Sequence, residues 1–283
     1  MTETSGMSDS VMTDPSLEMT GKDVDALAEA RASIRPGTRI NVTFLGNEDL
    51  EMRVTAATAV RDAGFIPVPH VSARRLSSQA ELEEFLGALR DRVGGEHMFA
   101  VGGDPSEPMG PYASSADLIS SGLPKQYGFT QISIAGYPEG HPDITDAQLW
   151  EALEQKDASL KEQGLNGTIL TQFGFDVDPV FTWIEEVRSR GIDLPIRIGV
   201  PGPAGIKRLL SYAKRFGVST SAGIAKKYGF SITNLLGTAG PDKMINQLDA
   251  GLTPAHGDVK LHFYTFGGMK TTADWIKDFQ AKH

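Results

Sequence analysis

The chain contains no cysteine, which excludes disulfides, thiolate metal sites and cysteine nucleophilic catalysis together. Basic charge is scarce as well. The 27 Lys and Arg stand against 36 Asp and Glu, for a formal net charge of −9. Arg74-Arg75 and Lys226-Lys227 are isolated pairs, so no basic stripe offers itself to a nucleic acid. No apolar run is long enough to cross a bilayer. Residues 1–14 hold three acidic side chains and no basic one, unlike a secretory signal. They read as a flexible leader on a cytoplasmic protein.

What is present is a globular composition, 40% hydrophobic and 22% charged over 283 residues. That length suits one (β/α)8 barrel, which needs about 250 residues. Short apolar runs alternate with amphipathic stretches throughout. Strands are expected at 16–19, 39–44, 65–70, 98–101, 131–135, 168–171, 196–200 and 261–264. Helices are expected at 49–63, 78–93, 145–163, 179–190 and 204–216, most of them closed by glycine. Pro67 and Pro69 are awkward for a central ladder. Ser78 stands three residues before Glu81, a capping-box spacing. Residues 218–254 are less regular, with two or three short helices. Eight strands separated by helices imply a parallel sheet, and eight units favour closure into a TIM barrel over 15–283.

Catalytic groups in such barrels lie at the C-terminal strand ends. The polar residues expected there are Glu18, Thr43, His70, Asp104, Tyr137 with His141, Gln172 and Tyr264. His70 and His141 also invite a metal reading, but the chain has no His-x-x-x-His spacing, so no metal is expected.

These residues carry a resemblance. Ser133-Ile134-Ala135-Gly136-Tyr137-Pro138-Glu139-Gly140-His141-Pro142 resembles the segment after the fifth strand of methylenetetrahydrofolate reductases. Thr171-Gln172-Phe173-Gly174-Phe175-Asp176 resembles the segment after their sixth. Gly103-Asp104-Pro105, Pro69-His70 and His262-Phe263-Tyr264-Thr265 match further family turns and strand ends, all in family order from about residue 16 to 266. The resemblance implies reduction of 5,10-methylenetetrahydrofolate to 5-methyltetrahydrofolate, with FAD reduced by NADH or NADPH. It implies Glu18 and Asp104 as catalytic residues. Gln172, Asp104, Phe175 and Tyr264 would meet the folate. Thr43, His70, Asp104, Tyr112, Ala135, Tyr137, His141 and Lys156 would line the cofactor.

The chemistry asks for a proton on the leaving nitrogen, a negative charge beside the iminium cation, and a stacked hydride donor. Glu18 is the candidate acid. Walled by Leu17, Met19 and the barrel interior, its carboxyl is expected to keep its proton near neutral pH. Asp104 follows two glycines and is the candidate counter-charge. The Gln172 amide both donates and accepts, as a pterin edge requires.

Three departures touch the cofactor. Gly102 stands where the family has the arginine of an Arg-Gly-Asp turn. Aligned on Gly164, the helix before it offers Lys156, Ser159 and Leu160 in place of Asn, Arg and Lys. Gly267-Gly268 replaces an Asn-Arg after the last strand. Each charge-assisted bond to phosphate is worth roughly 1.5–3 kcal/mol, so FAD retention is in doubt. A flavoenzyme and a flavin-independent reductase both stay open. So does a folate-binding or regulatory barrel without catalysis, against which both carboxylates argue. The turn Gly199-Val200-Pro201-Gly202-Pro203-Ala204-Gly205 either cradles a phosphate or packs tightly. A homo-oligomer is left open.

Overall fold

A computed structural model describes residues 10–218 and 238–282. Seven strands come first: β1 (Ser16–Met19), β2 (Arg39–Val42), β3 (Ile66–Ser72), β4 (His97–Val101), β5 (Gln131–Gly136), β6 (Asn166–Phe173) and β7 (Ile196–Pro201). A small antiparallel ribbon, β8 (Ala204–Gly205) with β9 (Thr238–Ala239), precedes the last strand, β10 (Val259–Tyr264). β1 to β7 and β10 close a barrel in the order β1-β10-β7-β6-β5-β4-β3-β2. Every pair in it is parallel.

The helices are α1 (Val24–Ala30), α2 (Leu50–Asp62), α3 (Gln79–Arg92), α4 (Ser115–Ser120) and α5 (Leu123–Gln126). They continue with α6 (Asp146–Gln163), α7 (Val177–Ser189), α8 (Ile206–Arg215), α9 (Asp242–Gly251) and α10 (Met269–Lys282). None of the described helices is long and apolar enough to cross a membrane. Ser78 caps α3, its Oγ accepting from Glu81 N at 3.2 Å. The Glu81 carboxylate reaches one residue further back than a capping box requires, to Ser77 N at 2.8 Å. α6 starts on a complete box, Thr145 with Gln148, and stops at Gly164 with φ +64°.

Side chains alternate between the two faces of each strand. Leu17, Met19, Ile40, Val42, Ile198, Val200, Leu261 and Phe263 face outward and join the buried layer beneath the helices. The intervening residues fill the barrel. Val68, Phe99 and Leu170 make an apolar plug inside it. The prolines of β3 cost no ladder bond. Even-numbered residues of β3 face β2, as Ile66 N to Thr38 O at 3.0 Å sets, and the ladder with β4 begins only at His70 opposite Phe99.

Two expectations change. Residues 10–14, read above as part of a floppy leader, are packed. Val11 and Met12 are buried, Val11 N donates to Asp249 Oδ1 at 2.8 Å, and Gln280 Nε2 donates to Met12 O at 2.6 Å. Asp14 binds both Arg39 and Arg197 at 2.6 Å beneath the barrel. Second, the region before the last strand includes α9 and the β8–β9 ribbon, while residues 219–237 of that stretch lie outside the described residues.

Candidate active site

Because the barrel strands are parallel, their C-terminal ends share one mouth, and the inward residues there come from different strands. Glu18, Thr43, His70, Ala135, Gln172 and Tyr264 are brought together in this way. Glu18 Oε2 stands 3.8 Å from His262 Nε2, the one polar edge of a fully buried ring. His262 Nδ1 meets Ser16 Oγ at 2.9 Å. With the Ser16 hydroxyl donating there, the Nε2–H of His262 faces Glu18, and it has no hydrogen-bond partner of its own. A small rotation of Glu18 would close that gap. Thr265 Oγ1 donates to the Glu18 backbone carbonyl at 2.8 Å and ties the end of β1 to the end of β10.

On the other wall, Asn41 Nδ2 lies 3.3 Å from His70 Nε2, and His70 packs edge-on against Phe99 at 4.7 Å between ring centres. The Tyr264 hydroxyl donates to Thr171 O at 3.1 Å. Gln172 Oε1 accepts from Phe173 N at 3.1 Å, which leaves its amide N–H groups for the cavity it lines with Tyr137, His141 and Phe216.

Burial at the mouth shifts its rings and phenols. Burial pushes His70 down to about 4, with Glu18 pulling weakly the other way. Burial also lowers His262 against the pull of Glu18. The Tyr264 hydroxyl is raised well above the ordinary tyrosine value by burial first, then by Glu18 and Tyr137. Tyr137 is raised by burial alone. The site therefore holds neutral histidines and neutral phenols around one carboxyl group.

Several expected neighbours lie elsewhere. Leu17 and Met19 do not wall Glu18, because they leave β1 on its opposite face; His262 and Tyr264 stand there instead. Asp104 is on the rim, 76% exposed, in a two-point pair with Arg75. Tyr112 is buried in the layer under the helices. Phe175 packs edge-on against Phe173, in a cluster with Ile206 and Leu209 of α8. His141 packs edge-on against Tyr137 at 5.4 Å, and its Nδ1 accepts from Asp143 N at 3.1 Å.

The positions expected to hold a flavin diphosphate are also visible. Ser159 bonds Ser120 of α4 at 3.1 Å and accepts from Gln163 at 3.2 Å. Leu160 is fully buried in the core. Neither faces the mouth. Lys156 is buried, donates to Ala135 O at 3.3 Å, and is lowered by burial to about 8. Gly199 within β7 and Gly202 just after it serve packing. A Cβ on Gly199 would fall 2.5 Å from Thr171 O, and one on Gly202 would overlap Thr272. Gly267 is likewise shut in by Pro203 O, so the replaced Asn-Arg pair has no room to return at that position.

Ser16, Asn41, His262 and Arg75 are site residues that strand-end reasoning did not single out. The first three share the inward face with Glu18, Thr43 and Tyr264 two residues along the same strands, so period-two spacing was a usable signal. Arg75 had none. Among the described residues no group of three His, Asp or Glu could hold a metal. A cavity of about 490 Å3 opens at the N-terminal face around Arg39, Arg197 and Asp258. It is remote from these groups, and that face of a parallel barrel serves stability.

A closed parallel barrel with acid, amide and phenol at its C-terminal mouth defines a TIM-barrel enzyme-like scaffold. The model of the family "Methylenetetrahydrofolate reductase" matches residues 20–278, and the chain belongs to that family. The 5,10-methylenetetrahydrofolate reductase of Pectobacterium carotovorum is 37% identical over 120 residues, 41% of this chain and 38% of that one. The Escherichia coli K12 protein of the same description is 32% identical over 196 residues, 67% and 62% of the two chains. Methylenetetrahydrofolate reductase 2 of Saccharomyces cerevisiae is 30% identical over 129 residues, 43% of this chain and 21% of its own. The chain thus matches from about a fifth to three fifths of these relatives' lengths. Among solved structures, the 3-dehydroquinate dehydratase of Aquifex aeolicus VF5 superposes with a TM-score of 0.50 at 10% identity, over 95% and 97% of the two chains. That likeness concerns the fold alone.

Proposed function

We propose that the chain reduces 5,10-methylenetetrahydrofolate to 5-methyltetrahydrofolate with hydride taken directly from NAD(P)H. The observation that carries this reading is the gathering of Glu18, His262, Gln172 and Tyr264 at one mouth, within a chain of this family. Gln172 meets the pterin edge with its unused amide donors. Glu18 delivers a proton to the nitrogen that leaves as the five-membered ring opens. His262, one short rotation away, is placed to orient that carboxyl through its Nε2–H. The iminium carbon then accepts hydride, and the positive charge it carries is offset by carboxylate at the mouth. Neutral His70 and Tyr264 shape the cavity without opposing that charge.

The turn and helix positions expected to hold a flavin diphosphate do not fit that task. Gly102 supplies no cation, Ser159 and Leu160 turn away from the mouth, and Lys156 is committed to Ala135 O. A retained flavin needs a diphosphate grip that survives purification. A nicotinamide nucleotide binds and leaves each cycle, so micromolar affinity, about 8 kcal/mol, is enough.

The test is anaerobic turnover by purified protein of recorded visible spectrum. A colourless sample that oxidises NADH only when methylenetetrahydrofolate is present supports the reading. Stoichiometric flavin bands would overturn the direct route. Folate binding without any NADH oxidation would make the protein a non-catalytic folate-binding barrel.

A further inference from the structure

Three strand ends, β2, β3 and β4, meet on one side of the mouth, and Arg75 sits at their junction. It ends the single 3-10 turn Ala73–Arg75 that follows β3. Its Nε donates to Asp104 Oδ1 at 2.7 Å and its Nη2 to Asp104 Oδ2 at 2.6 Å. The Arg75 side chain is 20% exposed, whereas Asp104 is 76% exposed. The guanidinium lies flat on Gly46, where any Cβ would overlap Nη1. Across the pair, Gly103 holds φ +97°, and a Cβ there would overlap Ser72 Oγ. Ser72 is 1% exposed, and its hydroxyl has no hydrogen-bond partner. Thr43 Oγ1, at the end of β2, is buried and has none either.

This arrangement is poorly explained as a staple. A pair whose carboxylate is three-quarters exposed holds a fold weakly. Buried hydroxyls normally find partners, and Ser72, packed against Gly103 next to Asp104, has none. Gly46 leaves the guanidinium room to lie against the backbone, and Gly103 does the same for Ser72. A planar fork of N–H donors at a strand-end rim, held only by an exposed carboxylate, is suited to an oxyanion with several acceptor oxygens.

We propose that Arg75 receives an oxyanion of an incoming substrate and gives up Asp104 as it does so. The oxyanion is either the diphosphate of the dinucleotide or a carboxylate of the folate's glutamate tail. Exchange frees Asp104 to turn toward the iminium, which rests on the reading of Asp104 as counter-charge above. Arg75 is thus a positioning residue that couples binding of an anionic arm to completion of the site.

Binding is read without turnover, by quenching of tryptophan fluorescence in the full-length protein. The titrants are NADH and mono- and triglutamyl tetrahydrofolate, and the variants are Arg75→Gln, Arg75→Lys and Asp104→Asn. Arg75→Gln is expected to weaken one ligand by about ten- to hundredfold and to spare the other, as loss of a charge-assisted bond implies. Arg75→Lys, which keeps the charge, is expected to fall between. Asp104→Asn is expected to leave that affinity unchanged or tighter, because a competitor has gone. A loss confined to NADH assigns the diphosphate. A loss confined to folate, growing with tail length, assigns the tail. Affinities within twofold of wild type in Arg75→Gln, equal weakening of both ligands, or the same weakening in Asp104→Asn would overturn the proposal. Thermal melts identify any variant that fails to fold, and Arg75→Lys then carries the test. Wild-type binding without turnover counts against the functional reading and leaves the exchange itself standing.

Discussion

Lys156→Met is expected to make this protein more stable at neutral pH. The amine in an unfolded chain keeps its proton up to about 10.5, but buried behind β5 it gives it up near 8. Burial is the cause, and no carboxylate compensates for it. Between those values the unfolded chain binds more protons than the folded one, so stability rises as pH climbs from about 8 to 10.5. Below 8 the fold carries the whole cost of the buried ammonium, roughly 3 kcal/mol at 1.36 kcal/mol per pH unit. Methionine fills the same channel with an unbranched stem and no charge. It forfeits the bond to Ala135 O, worth about 1 kcal/mol. The net gain is about 2 kcal/mol, or roughly 4 °C in melting temperature for a domain of this size. Circular-dichroism melts of both proteins at pH 7 and pH 10.5 measure it. No gain at pH 7, or a gain that persists undiminished at pH 10.5, would refute the reasoning.

Glu18→Gln keeps the shape of the side chain and removes its acidity. It is expected to lower kcat by about 10²–10⁴ and leave folate affinity within about threefold; an equal loss in affinity would make Glu18 a binding group. Gly136→Ala places a Cβ 2.7 Å from Trp183 Cη2 and 2.8 Å from Ile169 Cγ2, neither of them a flexible end. Overpacking of this kind costs about 1–3 kcal/mol, and a urea midpoint unchanged from wild type would contradict the contact.

The barrel was legible because most strands are short apolar runs, several met at once by glycine, and α2, α3, α6 and α7 each start on a side-chain cap. What was missed lacks such local marks. α4 and α5 span six and four residues, too short to show a period. α10 shows one, with Met269, Thr272, Ala273, Ile276 and Phe279 buried on one face, but it follows the last motif and carries no chemistry. The packing of residues 10–14 depends on Asp249 and Gln280, more than 200 positions away, which no local pattern encodes. The mouth residues were legible for a simpler reason. In a parallel barrel every strand end points the same way, so a polar residue at a strand end is already a candidate. The wall around Glu18 was misread because neighbours in sequence are opposite in space on a strand. The Asp104–Arg75 pair joins two loops 29 positions apart and leaves no trace in either one.

The cations follow a rule that the proposed reaction would explain. Its intermediate would be a cation, and a unit positive charge 4 Å away would cost it about 4 kcal/mol at an effective dielectric constant of 20. The inward mouth avoids that charge. His70 is neutral above about pH 4, and His262 is held below the ordinary histidine value by burial. Arg75 stands at the rim, paired with Asp104, and Lys156 lies behind β5, bonded to Ala135 O. A His70 raised toward neutrality, for instance by an added carboxylate beside it, would therefore slow hydride transfer at low pH while leaving the binding of both substrates intact. Under the proposed reaction, cations at the edge and neutral rings at the centre would let one mouth hold a polyanionic donor and a cationic acceptor together.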